Sequence, residues 1–93
     1  MASPTSQSTG LLAVNTYNGL YVGKNIINGV IAQPGATVTV WDSLTAGSGN
    51  VVVQIVNAGT SSLDHVFNLG VRCDIGLSIT VSGAPGTVYF GAN

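Results

Sequence analysis

The chain has 93 residues, only 5% of them charged, about a fifth of the usual share, with a formal net charge of -1. Two cations, Lys24 and Arg72, cannot make the basic stripe of a nucleic-acid binder, and 45% hydrophobic residues is too many for charge-rich disorder. Gly, Ser, Thr and Asn fill 39 positions and Val and Ile another 19. That argues against a helical bundle, whose wet face is written in Glu, Lys and Gln, and for an antiparallel β protein.

Residues 1–10 are rich in Ser and Thr and have no apolar period, so they read as a flexible arm able to extend over a neighbour. Residues 11–93 read as a single β domain. From Leu11 onward, short β-type runs are separated by Gly, Pro and Asn, which places strands at 11–17, 20–22, 26–32, 36–42, 50–57, 64–69, 71–75, 77–82 and 87–91. No segment keeps a helical period over three turns, so no helix longer than a turn is expected. Gln33-Pro34-Gly35-Ala36 and Ala84-Pro85-Gly86-Thr87 both put Pro second and Gly third, the signature of a type II turn at a corner or hairpin. The second of them predicts a hairpin over 77–90.

Alternation sets the buried face. Val38, Val40, Val71, Cys73, Leu77, Ile79 and Val81 fall on the apolar phase of their strands and are predicted inward. The run from Val51 to Val56 is apolar on both phases, so Val52 and Val56 are candidates for a surface covered by another subunit. Trp41 shares its phase with Thr37 and Thr39, which suits an interface residue or, as an alternative, a sugar-stacking platform. Arg72 and Asp74 share one face of a strand and read either as a solvated pair or as an intersubunit ion pair.

Chemistry is sparse. Cys73, His65 and Asp64 or Asp74 hold the residue types of a nucleophilic constellation, but Cys73 lies on the buried phase, and the adjacent Asp64 and His65 point to opposite faces. No metal site is expected, because one His, one Cys and three scattered aspartates fill no zinc or calcium pattern. The reading is therefore not an enzyme, with no catalytic residues and no cofactor. The first ten residues carry no positive charge, and Leu11–Val14 is too short for a signal-peptide core. No run approaches the ~20 apolar residues of a membrane span. Synthesis in the cytosol and no membrane partner are expected.

The order Lys24-Asn25-Ile26-Ile27-Asn28-Gly29-Val30-Ile31, then Val38-Thr39-Val40-Trp41-Asp42-Ser43, then Gly70-Val71-Arg72-Cys73-Asp74-Ile75-Gly76-Leu77-Ser78-Ile79-Thr80-Val81-Ser82-Gly83, carries a resemblance. Over roughly residues 20–91 the chain resembles small all-β virion proteins of tailed bacteriophages. The resemblance implies an antiparallel β-sandwich, jelly-roll-like, that sits on the capsid as a cement or decoration subunit or in a head–tail structure. Its partners would be further copies of itself, with a trimer expected, and the major capsid protein of a phage. It would be made in the host cytoplasm and work in the virion. No functional residue transfers, because such a role is interfacial. A carbohydrate-binding or adhesin module is the alternative.

Overall fold

A computed structural model of the chain describes residues 6–92. Eight strands follow one another: β1 (Ser6–Ser8), β2 (Asn15–Val22), β3 (Asn25–Ala32), β4 (Thr37–Asp42), β5 (Asn50–Val56), β6 (Leu63–Cys73), β7 (Gly76–Ser82) and β8 (Gly86–Ala92). They form two four-stranded sheets, β1-β8-β3-β6 and β2-β7-β4-β5, in which every pair is antiparallel. Each strand bonds to its counterpart from the other end of the chain: β1 to β8, β2 to β7, β3 to β6 and β4 to β5. This is a long hairpin wound into two layers, the connectivity of an antiparallel jelly-roll sandwich.

The alternation read from the sequence fills the space between the sheets. Val38, Val40, Cys73, Leu77, Ile79 and Val81 are buried, joined by Ile27, Val30, Ala32, Ala36, Val53, Val88 and Phe90. Val71 packs against this core but is only partly buried, because β6 ends its sheet and leaves one flank open. Tyr21 and Phe90 close one end of the core across the two layers, their ring centroids 4.1 Å apart. Burying side chains of this size contributes about 1.5–3 kcal/mol each.

Several expectations need correction. Residues 77–90 do not make a hairpin. β7 lies in one sheet and β8 in the other, so the link between them is a corner. The positive φ there belongs to Gly83 (φ 80), whereas Gly86 is the first residue of β8. Gly86 is needed for space: a Cβ on it would lie 2.5 Å from Val38 Cγ2 and 3.2 Å from the Ile31 carbonyl oxygen. The corner at Gln33-Pro34-Gly35-Ala36 follows the type II pattern. Gly35 has φ 86, and Ala36 N donates to the Gln33 carbonyl at 2.9 Å.

The arm expected at 1–10 is in part a strand. Ser6, Gln7 and Ser8 pair with Gly91, Phe90 and Tyr89, and Leu12 bridges to Gly86 in both directions. Backbone pairing needs no apolar side chain, which is why composition alone missed it; residues 1–5 lie outside the described residues. The breaks placed at residues 18–19 and at Gly70 are bulges inside continuous strands, between Tyr17 and Tyr21 in β2 and opposite Asn28 in β6.

Candidate functional site

Directly opposed residues of an antiparallel pair share a face, so the registers give the outer surfaces row by row. On the β2-β7-β4-β5 sheet one row runs Thr16, Thr80, Thr39, Gln54. The rows beside it are Ser78, Trp41, Val51, with Ser78 covered between Gly19 and Ser43, and Ser82, Thr37, Val56. On the other sheet the outward rows are Arg72, Ile26, Gly91; Val66, Gly29, Tyr89; and Asp64, Ile31, Thr87. Val66 is 66% exposed and Val56 60%. Both faces are thus mostly hydroxyl, amide and aliphatic.

Charge is segregated. Of the five charged residues, Asp64 and Arg72 lie on β6, Asp74 in the turn after it and Lys24 in the turn before β3. The fifth, Asp42, ends β4 and is used internally. Its carboxylate accepts from the backbone N of Asp74 at 3.1 Å, of Ile75 at 2.8 Å and of Gly76 at 3.3 Å, tying the β6–β7 turn to the opposite sheet. Partial burial pushes its pKa up, but the three N–H groups outweigh this and hold it below its ordinary value.

The residues chosen from the sequence separate into two groups. Trp41 is half-buried on the outer face, and its Nε1 donates to Thr80 Oγ1 at 3.3 Å, so its polar edge is already engaged within the sheet. Val56 faces outward beside Thr37. Val52 does not share that face. The register skips it between Val51 and Val53, and this bulge turns it toward the core, so Val51 takes its place outside. Arg72 and Asp74 are exposed, but Asp74 lies in the turn rather than on the strand, so the two do not form the one-face pair expected. Burial first, and then the negative charges of Asp42 and Asp74, push the Cys73 thiol up to about 12, which removes it as a nucleophile at neutral pH. His65 stacks near Phe67, ring centroids 4.7 Å apart.

Sequence reasoning missed the buried polar residues that fix the loops. Asn57, 6% exposed, donates from Nδ2 to the carbonyls of Ala32 at 2.9 Å and Ser61 at 2.8 Å and accepts at Oδ1 from Gly59 N at 2.9 Å. Fully buried Ser78 accepts from Gly19 N and donates to the Ser43 carbonyl, joining the β2 bulge to the β4–β5 loop. Three of these partners, Ala32 for Asn57 and Gly19 and Ser43 for Ser78, lie 25 to 59 residues away in sequence. Only the Asn type, followed two residues later by Gly59, hinted at one of the contacts.

The chain matches no family model, no curated protein and no solved structure.

Proposed function

We propose that this protein is a virion structural subunit, most consistent with a capsid cement or decoration role, that acts through contacts with copies of itself and with a shell protein rather than through catalysis. The observation that carries the reading is the surface. Ten large hydrophobic side chains among the described residues are exposed on a small domain whose few charges are gathered at one edge and its turns. Surfaces of this kind lose little on desolvation and bind by apolar and backbone contact. The jelly-roll connectivity adds support by analogy alone, since viral coat subunits and lectins both use it. A glycan-stacking role for Trp41 is weakened by its hydrogen bond to Thr80 and its half-buried ring.

The test is mass spectrometry of density-gradient-purified virus particles from a culture that carries the gene for the chain. The expected result is many copies per particle, retained through a salt wash because so few ion pairs hold them. Intact particles without the chain refute the proposal, and steep release by salt refutes the neutral-contact mechanism.

A further inference from the structure

Four strands stand at sheet edges: β1 and β6 in one layer, β2 and β5 in the other. An edge strand pairs with any strand it meets unless shortness, charge, a bulge or a cover blunts it. Three of the four edges carry such a device. β1 has three residues among those described. β6 carries Asp64, His65 and Arg72. β2 is broken by its bulge between Tyr17 and Tyr21, and the β4–β5 loop holds to it where Ala46 N donates to Asn18 Oδ1 at 2.8 Å.

β5 is different. No charge lies anywhere between Asp42 and Asp64, and β5 contains no proline. Its bulge at Val52 falls in its first half, leaving Val53, Gln54, Ile55 and Val56 in unbroken register with Val40, Thr39, Val38 and Thr37.

We infer that β5 is the edge by which this chain pairs with a second copy of itself, antiparallel about a two-fold axis, in place of the threefold arrangement expected from the sequence. A charged partner finds no counter-charge along this edge, whereas a second β5 is as neutral as the first. The register that sets Gln54 against Gln54 of the second copy also sets Val53 against its Ile55. Both of these face the core side, so the two cores become continuous. The axis then passes between two uncharged amides.

The area sets the strength. A seven-residue strand is about 23 Å long, and the molecule is 18 Å through its shortest extent. The end of the sandwich that carries this edge, both layers together, therefore covers at most about 400 Å² on each copy, half of the ~800 Å² of a standard interface. Such a pair is transient in dilute solution and fills when copies are held at high local concentration.

Sedimentation equilibrium of the full chain from about 0.02 to 1 mM should show a reversible monomer–dimer equilibrium, with the dimer filling toward the upper end of that range. Gln54→Lys places two like charges on the axis and should raise Kd tenfold or more. Its ammonium can still donate to Thr39 Oγ1, as the Gln54 amide does at 3.2 Å. Val66→Lys makes the same change in net charge on β6 and should leave Kd unaltered. A wild-type monomer at about 1 mM, an unchanged Gln54→Lys, or an equal effect of both variants overturns the inference. Should Gln54→Lys fail to fold, amide exchange of the wild type decides: exchange at those amides of Val53–Val56 that point away from β4 must slow as concentration rises, and constant rates there alongside a dimer overturn the inference. The inference stands apart from the virion proposal, since a chain that pairs through β5 yet is missing from particles refutes only the latter.

Discussion

Replacing Asn57 by aspartate changes almost no volume and should nevertheless be among the most damaging substitutions in the chain. The terminal nitrogen of Asn57 faces two carbonyl oxygens, of Ala32 and Ser61, and its terminal oxygen faces one N–H, of Gly59. The backbone of the same residue donates to the Ala36 carbonyl and accepts from Gly35 N, both at 2.8 Å. One residue therefore pins the end of β3, the β3–β4 corner and the β5–β6 loop. In Asn57→Ala the Ala32 carbonyl loses a buried hydrogen bond, and two less buried groups also lose partners. At about 1–3 kcal/mol for the buried group and less for the others, the loss is about 2–4 kcal/mol. Asn57→Asp adds a negative oxygen where both donors stood. A domain of this size holds roughly 5–14 kcal/mol in total, so the variant should sit close to unfolding at neutral pH.

The sign with pH separates the two substitutions. The new carboxyl, facing carbonyl oxygens, has its pKa raised in the folded state. Its penalty is absent below the unfolded value of ~3.9, where the acid carries a proton that it can donate to one carbonyl. It grows as pH rises through that value and is complete above the folded one. Urea melts of Asn57→Asp and Asn57→Ala across pH 3.5 to 7 provide the assay (an interval of about one Asp titration). The Asp variant should fall progressively below the Ala variant as pH rises. A constant gap between them would refute the opposed-carbonyl geometry.

Asp42→Asn should cost about 1 kcal/mol at neutral pH, the scale of a lost carboxylate cap on backbone N–H groups. Because the folded pKa of Asp42 is depressed, its advantage is complete above the unfolded value of ~3.9 and vanishes as pH falls through the folded value. Stability curves that stay parallel in acid would contradict this. Cys73 should react with iodoacetamide at least about a hundredfold more slowly in native buffer than in denaturant, since its thiol is buried and its pKa is raised to about 12. Labelling at the denatured rate would show that the core around it opens freely.

Much of the layer structure was legible because alternation with period two depends only on which side of a strand meets water. Val38, Val40, Leu77, Ile79 and Val81 declare the inner face without reference to their partners. Glycine was harder to read. At Gly19 and Gly70 it looks like punctuation between strands, yet a bulge and a turn demand the same positive φ, 55 and 74 here, and only pairing on the far side tells them apart. Val52 shows the same limit, since one extra residue exchanges the faces of its neighbours. The corner after β7 reads from the sequence as a hairpin because a Pro-Gly turn fixes local direction and carries no information about which sheet receives the next strand. Asp42 reads from the sequence as one of three scattered aspartates. Its real partners stand more than thirty residues away, where no spacing rule reaches.

The complementary pairing of the strands also sets an order of assembly. Only β4 and β5 are joined by one short loop, residues 43–49, so their pairing closes the cheapest ring. Once it exists, β3 and β6 are separated only by the corners 33–36 and 57–62, and each further pair inherits ends already brought together. The chain should therefore zip outward from the β4–β5 tip, with each loop costing little, although the final contacts between β1 and β8 join residues some eighty positions apart. Topology dominated by such non-local pairings folds slowly, and folding in milliseconds to seconds follows. Pulse-labelled hydrogen exchange reads the order directly: amides of β4 and β5 must gain protection before those of β8. The reverse order would mean that the two sheets collapse first and sort their strands afterwards.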